Sequence, residues 1–116
     1  MVRKHYDCAP GCPIQNTLQF IAGKWKTVIL YHLFNAGVLR FSELQRKLPY
    51  VTKRMLARQL AELEADGIIQ KTVYATVPVK TEYAVSAFGA TFRPVIQAMA
   101  DWGTDYLEAD GKAIGE

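Results

Sequence analysis

The sequence predicts an α+β fold, mostly α, and three observations carry the prediction. Apolar residues recur at i, i+4 and i+7 in several separate stretches, which is the period of a helix. Between two of those stretches only the four residues Pro49-Tyr50-Val51-Thr52 intervene, which is helix-turn-helix spacing. After Gly67 the pattern switches to short runs rich in β-branched and aromatic residues, the mark of strands. The sum is a winged helix-turn-helix with a two- or three-stranded wing, flanked by terminal helices.

Residues 1–11 are expected to form a flexible arm, because Pro10, Gly11 and Pro13 interrupt any helix. Pro13 suits the first turn of a helix, and Ile14, Leu18 and Ile21 then form one stripe to about Ala22, with Phe20 off it. Gly23 breaks the run. From Lys24 to Phe34 the apolar residues cover much of the circumference, so this helix is expected to be the pillar of the core and His32 a core or margin histidine. Val38–Arg40 is a very short strand candidate. Ser42 is expected to cap a helix over Glu43–Leu48, which Pro49 ends.

The next helix, 52–66, has two different faces. Thr52 is placed to be its N-cap, and Gly67 follows it where a left-handed residue commonly ends a helix. Leu56, Leu60 and Leu63 form the apolar stripe, with Met55 and Gln59 at its margin. Lys53, Arg54, Ala57, Arg58 and Ala61 lie off it. The cations occupy the first two turns and the acids Glu62, Glu64 and Asp66 the last two, the reverse of what the helix dipole favours. A positive helix tip with small residues between the cations suits the DNA major groove; the bland alternative is a solvated face.

Beyond Gly67, Ile68–Ala75 reads as a strand, Thr76–Lys80 as a turn around Pro78, and Thr81–Val85 as a second strand. A lone hairpin is marginal in water, so it must pack on the helices, with Val38–Arg40 as its third strand. Ser86 is expected to cap a last helix over Ala87–Ala109, which Pro94 either kinks or opens. Val95, Met99, Trp102 and Tyr106 make a long stripe there with little core left to cover, a candidate oligomer surface. Residues 110–116 read as a frayed tail, leaving 12–109 as the working domain.

Half the residues are hydrophobic, enough for a core. Charge is uneven: residues 1–80 hold 12 Lys and Arg against 5 Asp and Glu, and residues 81–116 hold 2 against 6. A basic body with an acidic tail fits a nucleic-acid partner on one side. No apolar run approaches the ~20 residues of a membrane span, and the N-terminus lacks a signal-peptide core; a cytoplasmic protein is expected, with no membrane partner. No catalytic constellation and no cofactor motif stands out, so an enzyme is not expected. His5, Cys8 and Cys12 lack a fourth ligand for zinc, and no metal site is assigned.

Arg54 and Arg58 are the first candidates for base-edge contact, because the arginine fork matches guanine O6 and N7. Thr52 and Lys53 at the helix tip suit phosphate. Gln59 is a candidate for reading adenine from the margin of the stripe. Lys71 and Lys80 suit phosphate from the wing. Arg40 either does the same or pairs with Glu43 or Glu64. Lys24 and Lys26 either contact flanking phosphate or are merely solvated.

These residues also carry a family resemblance. Cys12-Pro13, Leu18, Ile21 and Gly23-Lys24-Trp25 are followed by Arg40-Phe41-Ser42-Glu43-Leu44, then Met55-Leu56, Gln59-Leu60 and Leu63-Glu64 with Asp66-Gly67. Tyr74, Val77-Pro78, Glu82-Tyr83, Gly89, Pro94 and Trp102-Gly103 complete the series. In this order and spacing the chain resembles the HxlR-type winged-helix transcriptional regulators of the MarR-like group. Thr52 stands where the family often has Ser, Tyr50 where it often has Gly, and Ser86 where it usually has Thr. The resemblance implies a homodimer joined by the first and last helices, with Ile14, Leu18, Phe20, Val95, Met99, Trp102 and Tyr106 as interface candidates. It implies that helix 52–66 enters the major groove of double-stranded DNA and that hairpin 74–83 touches backbone or minor groove. The expected operator is an inverted repeat.

Cys12 matches a cysteine that some members of the family use as a redox sensor. A helix start lowers a thiol pKa, although a buried structural thiol is the plain alternative. Cys8 is either a resolving partner or an arm thiol. A small-molecule effector is the other expected switch, in a pocket lined by Phe20, Trp25, Phe92 and Trp102. The competing reading of the whole chain is a winged-helix module that binds protein rather than DNA.

Overall fold

The computed structural model describes residues 11–114, except for the side chains of Cys12 and 110–114. The expected arm up to Pro10, with Cys8, lies outside the described residues, as does the thiol of Cys12. The elements in chain order are α1 (Cys12–Ile21), α2 (Lys26–Ala36), β1 (Val38–Arg40), α3 (Phe41–Lys47), α4 (Lys53–Ala65), β2 (Ile69–Tyr74), β3 (Lys80–Val85), a 3₁₀ turn (Gly89–Phe92) and α5 (Arg93–Ile114).

Helix α2 is the pillar that the sequence predicts. Ile29, Leu30 and Leu33 are buried within it, and it contacts α3, α4, α5 and the sheet. Gly37 ends it at φ 86°, a left-handed turn that a side chain would strain. Leu44 and Leu48 of the α3 segment, Leu56, Leu60 and Leu63 of α4, and Ile68 close the core around α2 with almost no exposed surface. The three strands form one antiparallel sheet in the order β1-β3-β2. Leu39, Tyr83 and Lys71 lie side by side across it, and Tyr83 buries its ring on the helix side. The third strand is therefore Val38–Arg40, and β3 is the central strand of the wing.

One helix start differs from expectation. Helix α3 begins at Phe41, not after Ser42, because Glu43 accepts the Arg40 backbone N–H at 2.8 Å and closes the first turn one step earlier. Of the two alternatives for the last helix, Pro94 opens it and does not kink it: α5 begins at Arg93, with Pro94 in its first turn where a missing N–H costs nothing, and the preceding turn is separate. Ser86 instead closes the turn that leads into the 3₁₀ segment: its Oγ accepts the Gly89 N–H at 2.9 Å and itself lies against the Gly67 and Ile68 carbonyls. Helix α5 runs on to Ile114, beyond Ala109. No helix among the described residues is long and apolar enough to cross a membrane.

Candidate nucleic-acid interface

The surface of interest is built on α4. Thr52 is its N-cap, with the hydroxyl accepting the Met55 N–H at 3.1 Å. At the other end Gly67 adopts φ 75° and its N–H, with those of Asp66 and Ile68, satisfies the last carbonyls of the helix. Leu56, Gln59, Leu60 and Leu63 face inward, so the helix must present Thr52, Lys53, Arg54, Ala57, Arg58 and Ala61 to solvent. Three cations thus stand on the first two turns of a fully exposed helix face, with no acid in the first turn.

The turn that sets the angle of α4 is held from both sides. Gln45 Nε2 donates to the Val51 carbonyl at 2.6 Å, and Val51 itself is buried. Trp25, just ahead of α2, packs on the exposed Tyr50 ring with centroids 5.2 Å apart. Tyr50 thereby gains a partner that a glycine in this turn would not have.

On the wing, Lys71 is exposed on β2, but Lys80 is tied down. Its ammonium lies 4.5 Å from the centre of the Tyr74 ring and 3.5 Å from Glu82 Oε2, while Tyr74 donates its hydroxyl hydrogen to Glu82 Oε1 at 3.0 Å. That hydrogen bond, then the Glu82 charge, raises the Tyr74 pKa above its ordinary value and keeps the hydroxyl protonated. Arg40 faces Glu82 across the β1–β3 ladder with its side chain exposed; its tie to Glu43 runs through the main chain. Arg40 and Lys80 line a cleft of about 490 Å³ between the start of α3 and the wing turn Thr76–Thr81. Val77 and Val79 stand exposed at that turn.

Several expected sites are corrected. Gln59 is only 7 % exposed and turns toward the α1–α2 junction, so it does not belong to the face that Arg54 and Arg58 present. At the margin of a stripe the neighbour decides burial, and here the neighbour is Gly23. Lys26 is neither solvated nor available to phosphate: it is 5 % exposed, and its Nζ lies 3.0 Å from Glu62 Oε1. Its position is legible in the sequence as an oddity, a lysine opening a helix that is apolar nearly all round. Sequence reasoning misses Glu62, whose acidity marks only solvation until the fold supplies a partner. Lys24 is exposed, with its Nζ 5.4 Å from the Trp25 ring centre.

Among the interface candidates, Ile14, Leu18, Met99, Trp102 and Tyr106 are exposed, and Leu107 joins them. Trp102 and Tyr106 stack nearly parallel at 5.3 Å. Phe20 and Val95 are instead half-buried against the core of this chain, Phe20 within a cluster with Phe88 and Phe92. Among the described residues the rings of Phe20, Trp25, Phe92 and Trp102 serve three separate clusters and do not line the one pocket expected of them. An apolar groove of about 500 Å³ lies elsewhere, between α2 and α5, lined by Val28, Tyr31, Ile96, Met99, Gly103 and Leu107 among others.

A helix-turn-helix with an exposed basic second helix, followed by a three-stranded wing, defines the DNA-binding domain of a winged-helix transcriptional regulator. Residues 20–111 match the HxlR-like helix-turn-helix family. An uncharacterized HTH-type transcriptional regulator, YdeP of Bacillus subtilis (strain 168), is 50 % identical over 113 residues, covering 92 % of this chain and 88 % of that protein. The solved structure of the redox regulator HypR in its oxidized form superposes with a TM-score of 0.76 at 47 % identity, over 81 % of this chain and 96 % of that one. The reduced form of the transcriptional regulator YodB from B. subtilis does so with a TM-score of 0.67 at 28 % identity, over 90 % and 94 % of the two chains. The chain belongs to the HxlR-like helix-turn-helix family.

Proposed function

We propose that this chain acts as a homodimeric, sequence-specific DNA-binding regulator that reads an inverted repeat. The observation that carries the reading is the exposed face of α4, where Lys53, Arg54 and Arg58 project beside Ala57 and Ala61 while the opposite face is locked into the core. Small residues let the helix sink into the major groove, and the two arginines supply forked donors for guanine. Thr52 and Lys53 at the helix start, with Lys71 and Arg40 at the wing, hold phosphate and fix register, and Lys80 joins them by exchanging Glu82 for phosphate. Two protomers present two such helices to half-sites about 34 Å apart. The exposed apolar residues of α1 and α5 support the dimer, because an apolar face of this kind on a small domain marks an interaction surface.

Two switches fit the same scaffold. Cys12 begins α1, and HypR, a similar protein, is a redox regulator by name; oxidation at Cys12, with or without Cys8, would alter the helix that joins the protomers. The groove between α2 and α5 offers an apolar small molecule a place on the same joining face. Either event changes the angle between the two reading helices.

The test is selection from a random-sequence duplex library, run in parallel under reducing and mildly oxidising conditions. A palindromic motif that responds to oxidant in the wild type and not in Cys12→Ser supports the redox-switched dimer. A palindrome indifferent to oxidant keeps the regulator and moves the switch to the groove. No enriched motif in either arm refutes sequence-specific binding. Arg54→Ala relaxes base preference, whereas Lys53→Ala weakens all sequences alike.

A further inference from the structure

Helix α4 carries an acid where a DNA-reading helix is poorly served by one. Glu62 stands one turn after Arg58, and its Oε2 lies 3.5 Å from Arg58 Nε. Arg58 is 74 % exposed in its side chain and is a candidate base reader, so a free carboxylate beside it competes with DNA for the guanidinium and repels phosphate. The other oxygen of the same carboxylate, Oε1, accepts from Lys26 Nζ at the shorter distance of 3.0 Å. Lys26 comes from the first turn of α2, on the core side of α4, and its side chain is only 7 % exposed.

The ground is prepared for that lysine. A Cβ on Gly23 would come within 2.6 Å of Gln59 Oε1 and 2.9 Å of Lys26 Cδ, so glycine at the α1–α2 junction is what lets the stem of Lys26 lie against α4. Burying an ammonium is costly unless a charge meets it, and Glu62 is the charge it meets. The hydrogen bond from Lys26 is the largest of the influences that hold the Glu62 pKa below its ordinary value, ahead of Arg58.

We infer that Lys26 is a positioning residue for DNA recognition, a buried counter-charge that neutralises Glu62 from behind and so leaves Arg58 free to turn toward DNA. The inference rests on the proposed DNA-binding role. Lys26 touches no nucleic acid in this arrangement; it acts through Glu62 on Arg58. Without it the full carboxylate charge falls to Arg58, which is drawn back along the helix.

The experiment is a double-mutant cycle on DNA affinity, using a duplex that carries the selected motif and a scrambled duplex of equal length, across salt from about 50 to 200 mM. Lys26→Met is expected to weaken binding to the motif about tenfold, the equivalent of about 1.4 kcal/mol. Glu62→Gln alone leaves affinity within about threefold of wild type, since its charge is already met, and in the Lys26→Met background it restores affinity to that range. The salt slope of Lys26→Met stays at the wild-type value, whereas Lys53→Ala, a phosphate contact, loses about one unit. A lysine that served only to dock α4 on α2 gives a different result: Glu62→Gln does not rescue it. Failure of the rescue, or undiminished binding by Lys26→Met, overturns the inference. Should Lys26→Met not melt cooperatively, Lys26→Gln keeps an amide donor for Glu62 without the charge and must show the same loss and the same rescue. If the wild type itself shows no motif preference, it is the DNA-binding reading that has failed.

Discussion

Replacing Gly89 by alanine tests whether the wing and the last helix are joined as tightly as the geometry requires. Gly89 is buried at the start of the 3₁₀ turn. A methyl there falls inside the contact surface of the Ile68 carbonyl oxygen, 2.9 Å from the Ile68 carbonyl carbon and 2.7 Å from Val85 Cγ1. The obstacle is backbone, so rotating a side chain does not relieve it. Carbon–oxygen contacts settle near ~3.3–3.6 Å, and the turn must retreat by on the order of 1 Å. Overpacking of this kind costs ~1–3 kcal/mol. The retreat also strains two hydrogen bonds, Gly89 N–H to Ser86 Oγ and Ser86 N–H to the Ile68 carbonyl, both 2.9 Å, at about 1 kcal/mol each. The total, about 3–5 kcal/mol, is a large part of the ~5–15 kcal/mol that a domain has. Urea unfolding followed by circular dichroism at fixed protein concentration measures it, and the midpoint should fall by roughly 2 M for a slope of about 2 kcal/mol/M. A loss below ~1 kcal/mol at unchanged slope would falsify the argument that this backbone contact fixes the wing to α5.

Three further outcomes are expected. Burial first, and then the nearby Lys47 charge, lower the His32 pKa below 6.5, so the unfolded chain takes up a proton more readily than the folded one. Stability is therefore complete above about 6.5 and falls as the pH drops below it toward the folded value; urea midpoints in that window should decline in the wild type and stay flatter in His32→Gln. Trp102→Glu places a charge on the exposed face of α5 and should convert the proposed dimer to monomer in sedimentation equilibrium with the helical dichroism intact; an unchanged mass rules this face out as the contact. Lys80→Ala should weaken motif and scrambled DNA alike and lower the salt slope by about one; a loss confined to the motif would mean that the wing reads bases.

The parts of this molecule legible in the sequence are those in which one segment decides its own conformation. Thr52, the Leu56–Leu60–Leu63 stripe and Gly67 specify the start, inner face and end of α4 without reference to anything else, and all three behave accordingly. The wing is legible for the same reason, and Val38–Arg40 finds its place because β3 would otherwise lack a neighbour on one edge. The positions that mislead are those that depend on a second segment. Ser86 looks like the cap of a long helix, but its hydroxyl is engaged with the Gly67 and Ile68 carbonyls and closes only the turn ahead of a 3₁₀ segment. The four aromatics assigned to one pocket divide among three clusters because helical spacing says which side a ring is on, not which neighbour it meets.

The reversed charge order of α4 shows where the two kinds of information meet. Helix stability alone favours acids first and bases last, and α4 has no acid in its first turn and no base in its last. The basic start fits the exposed face proposed to meet DNA, and that much is visible from sequence. The acidic end is not explained by that face, because Glu62 beside Arg58 works against it. It becomes intelligible only with Lys26, contributed by α2 and admitted by Gly23. The carboxylate then joins α4 to the pillar of the core on one side and stands beside the exposed Arg58 on the other. A charge that looks like surface solvation thus ties the helix that carries the fold to the helix proposed to meet DNA.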